Sequence, residues 1–380
     1  MKRKFTYIIV AIIAVVLTTT YLTINKYSIK AIEGEVEVLA YGPYYDYLNL
    51  MAIKFKEKYP NTNIKIKNIK KENLDSEIQN AAKLNKEADL ILMNSLEVQK
   101  YIRQNSMVKN SIDGTINSFI NSYDNGRLDE IEKDKSYYAM PFDGKPMVMY
   151  YDNKALLDAS IKIEDIKTWK DFKDAGTAFY VKSLGNKKLC YLTRQDMINF
   201  TKMLLYQIDI KKDSKYEDKK KFVITFIESL KKENVIEEVE DADKVMQSTM
   251  IFGSMDRFEL IKSIGKSTFQ VSYIPSLDIG GNKFVSLDGE NLVLANRKNE
   301  KTALEFMVFA MTSASNLNNL MLEKNVFPVF KSCYEDEVFD YKQKELGGGK
   351  YLSILNNIQI NEPNKKNIEL VDEIIRNMYK

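Results

Sequence analysis

The sequence contains no histidine, and that absence alone excludes much chemistry. No Ser-His-Asp or Cys-His nucleophile system, no HExxH zinc site and no three-histidine metal centre can be built from it. Cysteine is almost as scarce. Cys190 and Cys333 are too few for a zinc ribbon or a disulfide-stapled scaffold, which leaves one intramolecular disulfide or two buried thiols open. Tryptophan occurs once, at Trp169, and the seven prolines are scattered rather than gathered into a linker. No internal repeat or low-complexity tract is evident. What the chain does have is apolar and charged: 44% hydrophobic and 29% charged over 380 residues. That is enough to bury real cores, in two domains of ordinary size or one large one.

The formal charge of +3, from 56 basic and 53 acidic residues, is unevenly placed. Residues 1–30 hold five basic side chains (Lys2, Arg3, Lys4, Lys26 and Lys30) and no acidic one. Between Lys4 and Lys26 there is no charge for 21 residues, and 5–22 is mostly Ile, Val, Ala, Leu and Tyr. Eighteen helical residues rise roughly 27 Å, close to the hydrocarbon thickness of a bilayer. Basic residues ahead of the run keep the N-terminus cytoplasmic and send the rest outside. The segment therefore reads as a secretory signal or an uncleaved signal-anchor over 5–25. No A-x-A follows the apolar run and no lipobox cysteine is present, so the retained anchor is preferred. Without these five, 51 basic residues face 53 acidic ones, a net charge of −2. No basic stripe remains to suggest nucleic acid.

Beyond residue 30 short alternating runs give way to longer helical ones, the pattern of an α/β fold. Residues 35–41 (EVEVLAY) alternate with period two, as do 63–69 (NIKIKNI). Residues 88–93 (ADLILM) are nearly all apolar and suit a buried parallel strand. The spacing predicts helices over 47–59 and 74–85, hence right-handed βαβ crossovers. Pro141, Gly144 and Pro146 interrupt extended runs over 137–152 and mark a chain crossing or a bend. Thr168 reads as the N-cap of a helix. Further helices are expected over 219–232 and 303–312, and strands over 269–273 and 291–294.

In order along the chain, several segments resemble one family. They include VEVLAYG with the following LMAIKFKEKYPNTNIKI, ADLILMNS, YYAMPFDGKPMVMYYDNKALLDASI and TWKDF. IFGSMDR, SLDGENLVLANRKNEKTALEFMVFAMTSASN and NVFPVFKSCYED continue the series. Together they are similar to the extracellular solute-binding proteins of ABC transporters, in the family-1, carbohydrate-binding, maltose-binding-protein-like group. The resemblance implies a two-lobed periplasmic-binding-protein-like fold of type II. One lobe would comprise 31–143 with 285–315, the other 144–284 with 316–380. Solute would bind between the lobes, which close over it by a shift of population, and the partners would be ABC permease subunits. Neither catalysis, a cofactor nor a metal is implied.

Ligands of open α/β sheets bind beyond the C-terminal ends of the strands. That rule and the resemblance together nominate Tyr41, Tyr44, Tyr45, Asn94, Ser95, Phe142 and Asp143 from one lobe. Ser254, Met255 and Arg257 match the family's G-S-W segment, and Asp288 and Glu290 the stretch returning across the hinge. Aromatic faces suit the CH face of a sugar ring, and Asp, Asn, Ser and Arg its hydroxyls. Each also has a plain reading: the tyrosines as packing at a strand end, Asp143 as a turn former, Arg257 as a solvated helix residue. Trp169 is expected in the core, and Tyr150 and Tyr151 on a strand face. The chain departs from the family at Met255, which stands where the resemblance expects tryptophan and offers no flat polar face.

Three other functions compete. A membrane-tethered ligand sensor would keep the fold. Ferric iron could use Tyr44 and Tyr45, although the C-terminal stretch holds no matching tyrosine pair. A surface glycoside hydrolase needs two carboxylates and no histidine, but no motif pairs them.

Overall fold

A computed structural model describes residues 32–104, 111–208, 216–265, 268–363 and 367–379. The apolar run at 5–25 lies outside them, and among the described residues no helix is long and apolar enough to cross a membrane. The first strand, Gly34–Ala40, pairs in parallel with Thr62–Asn68 along its whole length, Gly34 opposite Thr62 and Ala40 opposite Asn68. Its other edge pairs in parallel with Leu90–Asn94. Alternation buries Val36 and Val38, while Leu90 to Met93 are all buried because that strand is central. Glu290–Leu294 then runs antiparallel beside it and carries Ala139–Pro141 on its far edge. A strand from late in the chain thus closes a sheet begun at residue 34, and brings Glu290 to the same end as Ala40.

Helix Gly42–Lys58 starts five residues earlier than the apolar spacing suggests. Gly42 turns at φ +55° and Pro43 occupies the first turn, so the helix leaves the strand end directly. Tyr44 and Tyr45 consequently sit in its first turn, not in a loop. Phe55 packs this helix against Phe306 and Phe309 of Glu300–Met311, ring centres 5.4 Å apart in both pairs.

The second sheet has Val148–Asp152 between Met250–Gly253 and Phe269–Tyr273, antiparallel to both. Thr249 and Met250 donate backbone N–H bonds to Leu189, which joins the parallel pair Cys190–Leu192 and Ile236–Glu238 to it. Alternation along 147–151 sends Met147, Met149 and Tyr151 into one apolar cluster and Val148 and Tyr150 into another. A separate cluster draws on 36–142 and 292–333. Trp169 lies in the core as expected, in a helix Trp169–Lys182 capped reciprocally by Thr168 and Asp171. The two cysteines belong to different clusters, both free and buried, so no disulfide joins them. Burial raises both thiol pKa values, that of Cys333 to about 12.

Between the sheets lies a ribbon of three very short strands, Ser286–Leu287, Asp143–Pro146 and Phe327–Pro328. The prolines and glycine of 137–152 mark this place, where Ala139–Pro141, Asp143–Pro146 and Val148–Asp152 enter three different sheets in succession. Gly144 is required there because a Cβ would lie 2.3 Å from Gln359 Oε1 and 3.0 Å from Val329.

Asp124 is buried beside this region, with Lys331 Nζ 3.6 Å away and its second carboxyl oxygen unpartnered among the described residues. Burial, only partly offset by Lys331, raises its pKa to about 6. A folded-state pKa above the unfolded value of about 3.9 means that the native state holds the proton more tightly. The associated stabilisation is full below about pH 4 and lost as pH rises through about 6. The stability of Asp124→Asn relative to the parent should therefore rise by about 1–3 kcal/mol between pH 4 and pH 7.5. Urea denaturation at the two pH values checks this, and a constant difference contradicts it.

Candidate ligand-binding site

Two adjoining cavities, of about 300 and 490 Å³, open where the sheets face one another across the ribbon. Lys71, Lys145, Ser254, Asp256 and Glu290 line both, so they are compartments of one cleft. The smaller is walled by Tyr41, Tyr44 and Asp143, the larger by Asn94, Arg257 and Asp288. Volumes of this size suit a small solute.

One wall is a network around two carboxylates. Glu290 accepts hydrogen bonds from the Tyr41 hydroxyl and from Lys71 Nζ, both at 2.5 Å. Asp143 accepts from the Tyr44 hydroxyl at 2.6 Å and from the Glu290 backbone N–H at 2.6 Å. Gly289 permits this approach: a Cβ there would lie 2.0 Å from the Asp143 carbonyl oxygen. Burial raises the pKa of Tyr41 and Tyr44, and the neighbouring carboxylates raise it further. Burial likewise raises that of Asp143. For Lys71 burial opposes the charge, but Glu290 outweighs it and the ammonium titrates above an ordinary lysine. Both tyrosines hold their protons well beyond the usual range, so their hydroxyls stand as fixed donors to the two carboxylates.

Behind it lies Arg127, fully buried and ion-paired to Glu130. Its guanidinium also donates to Ser95 Oγ at 2.8 Å, Asn291 Oδ1 at 2.8 Å and the Glu290 carbonyl at 3.1 Å. The scaffold that fixes the backbone of Glu290 is therefore itself ionic.

The opposite wall comes from helix Arg194–Gln207, started by a Thr193–Asp196 capping box. Gln195, Asn199 and Lys202 recur at helical spacing and all line the larger cavity. Lys202 and the Tyr206 hydroxyl hold Asp288 at 3.0 and 2.5 Å. Arg257 is ion-paired to Asp196, which anchors it to the start of this helix.

Of the residues nominated from sequence, Tyr41, Tyr44, Asn94, Asp143, Ser254, Arg257, Asp288 and Glu290 meet at the cleft. Four lie elsewhere. Ser95 is fully buried beneath it, bonded to Glu130 and the Gly289 carbonyl. Phe142 is turned into the first core against Tyr44 and Tyr47, ring centres 5.1 and 5.4 Å away. Tyr45 is half-buried on the outer side of its helix turn, packed against the same core. Met255 is a core residue of the second sheet and presents no wall to the cleft. Sequence reading missed Lys71, Lys145, Gln195, Asn199 and Lys202. The polar stripe at 195, 199 and 202 behind a capping box was a usable signal. Among the described residues no group of three or more Cys, Asp and Glu side chains is placed to hold a metal ion.

A sequence profile of the family described as bacterial extracellular solute-binding protein matches residues 51–345. The chain belongs to that family. Solute-binding proteins of this family are binding proteins, not enzymes, and the hydrolase reading falls with that assignment. No curated protein sequence matches the chain. Among solved structures, the sugar-binding protein MalE from Xanthomonas citri is similar at 11% identity and a TM-score of 0.75, covering 91% of this chain and 90% of that one. The galacto-N-biose/lacto-N-biose I-binding protein of an ABC transporter from Bifidobacterium longum matches at 15% identity and 0.72, covering 92% and 91%. The GacH receptor of Streptomyces glaucescens matches at 15% and 0.70, covering 91% and 92%. At such identities the likeness speaks for the two-lobed solute-binding fold, which the sequence motifs had implied.

Proposed function

We propose that this solute-binding protein captures a carbohydrate in the cleft and delivers it to the permease subunits of an ABC importer. The observation that carries the reading is the cleft itself, lined from both sheets by amide, hydroxyl and charged side chains, with Tyr41 and Phe252 as apolar surfaces. Sugar hydroxyls need donors and acceptors in this density, and they need no catalytic group. The acarbose and lacto-N-biose named for two of the similar structures, and the third's description as sugar-binding, point the same way. Tyr41, Tyr44, Asn94, Asp143, Ser254, Arg257, Asp288 and Glu290 are the proposed ligand contacts, joined by Lys71, Asn199 and Lys202.

The lobes are taken to divide near 143, 285 and 315, while apolar residues of 317–333 belong to the first core and tie the two together. Closure then bends the ribbon of Asp143–Pro146, Ser286–Leu287 and Phe327–Pro328. The apolar run at 5–25 is taken to hold the protein on the outer face of the cell membrane. A ligand screen tests the function. At 100 times its dissociation constant a saccharide should stabilise the fold by about 2.7 kcal/mol, seen as a raised thermal midpoint, and be recovered unchanged. No shift with any sugar, but one with ferric iron or a polyamine, would remove the carbohydrate assignment.

A further inference from the structure

Five cationic and four anionic side chains line the cleft, and most of them are already matched. Lys71 is paired with Glu290 at 2.5 Å and Lys202 with Asp288 at 3.0 Å. Arg257 is held by Asp196 behind the wall, with Asp256 at 3.9 Å. Lys324 is exposed at the edge, where water solvates it. Lys145 differs. It is half-buried, it lines both compartments, and among the described residues no ion pair or hydrogen bond engages its ammonium. Asp143, two residues before it, attracts it through space but makes no direct bond to it, its oxygens accepting from the Tyr44 hydroxyl and the Glu290 N–H. The root of the side chain is fixed, since the Lys145 N–H donates to Ser286 Oγ at 3.0 Å within the hinge ribbon.

A second, independent observation lies on the other side of the cleft. Ser254 is 3% exposed and also lines both compartments. Its N–H donates to Asp256 Oδ1 at 3.2 Å and its carbonyl accepts from the Tyr150 hydroxyl at 2.9 Å. Among the described residues its hydroxyl has no partner. A buried donor left unmade is costly, and such groups in native proteins are normally satisfied by something. An ammonium and a hydroxyl, each without a direct partner among the described residues, line the same two compartments, one fixed to the hinge ribbon and the other beyond Gly253.

We propose that the solute is an acidic saccharide, whose carboxylate is received by the Lys145 ammonium and the Ser254 hydroxyl where the compartments meet. The inference rests on the carbohydrate reading and narrows it. A carboxylate gives the Lys145 ammonium a directly bonded counterion and accepts from both donors at once. A neutral sugar would close the cleft and leave the ammonium without a hydrogen-bonded counterion.

The experiment titrates the full-length protein calorimetrically with digalacturonate, glucuronosyl-xylose and a mannuronate dimer, each beside its neutral counterpart, and with a 6-phosphorylated disaccharide. The expected result is one acidic probe bound roughly 10–100-fold more tightly than its neutral counterpart. Lys145→Met should abolish that preference, Lys145→Arg should retain most of it, and Ser254→Ala should weaken the acidic probe. Urea denaturation establishes that each variant is folded. Equal or tighter binding of the neutral sugars overturns the inference and leaves the carbohydrate reading standing. Preference for the phosphorylated sugar overturns the carboxylate assignment. Binding of none of the probes at millimolar concentration overturns the inference and the carbohydrate reading together.

Discussion

Arg127→Ala is expected to lower the free energy of unfolding by about 3–5 kcal/mol. The guanidinium and its partner Glu130 are 0% and 1% exposed, so removing the cation strands a carboxylate in a core that cannot solvate it. The same change removes donors from Ser95, Asn291 and the Glu290 carbonyl. Arg127→Lys should recover little, because one ammonium does not span acceptors arranged around a planar fork. Urea denaturation measures the loss, and a change below about 1 kcal/mol would mean that the cluster relaxes or admits water. Ligand affinity should fall as well, since Arg127 fixes the backbone from which Glu290 faces Tyr41 and Lys71.

Trp169→Ala should cost a comparable amount, about 3–5 kcal/mol. The indole packs against Phe172, Phe200 and Phe252 with ring centres 5.5, 5.3 and 5.4 Å away. Its Nε1 donates to Gln207 Oε1 at 2.6 Å, and the Gln207 amide in turn holds the carbonyls of Pro275 and Asn282. Trp169→Phe keeps most of the packing but leaves Gln207 without its donor, and about 1–3 kcal/mol is expected. Phe252 is shared by this cluster and the larger compartment of the cleft, so the alanine variant should also bind solute less tightly. As Trp169 is the only tryptophan, its fluorescence reports unfolding of the parent directly.

These two residues mark the limits of what the sequence discloses. Trp169 was legible because the Thr168 cap is a local signal and the TWKDF segment resembles the family's, and the structure adds Asp171 as the reciprocal partner of the cap. The strands at 34–40, 62–68 and 90–94 were legible for the same reason, period two where one face is buried and an unbroken apolar run where both are. Arg127 was not. In NGRLDE it reads as a solvated helix residue, and its burial arises only when Glu290–Leu294, nearly 170 positions later, inserts beside Leu90–Asn94. Lys145 was hidden in the same way, reaching the cleft on a ribbon built from three distant stretches, whereas the family pattern had already nominated Ser254. Met255 shows the converse error. The family pattern placed an aromatic at that position in the cleft, whereas here the side chain fills the core beside Tyr150 and Phe269. Phe142 likewise turned inward, because a strand end next to a helix start leaves its ring facing Tyr44 and Tyr47.

The cleft is proposed to hold solute between two lobes that close over it. Small-angle X-ray scattering with and without a saturating saccharide ligand tests this most directly. A smaller radius of gyration is expected in the bound state, as the lobes rotate about the ribbon at 143–146, 286–287 and 327–328. Calorimetric binding with an unchanged radius of gyration would contradict it.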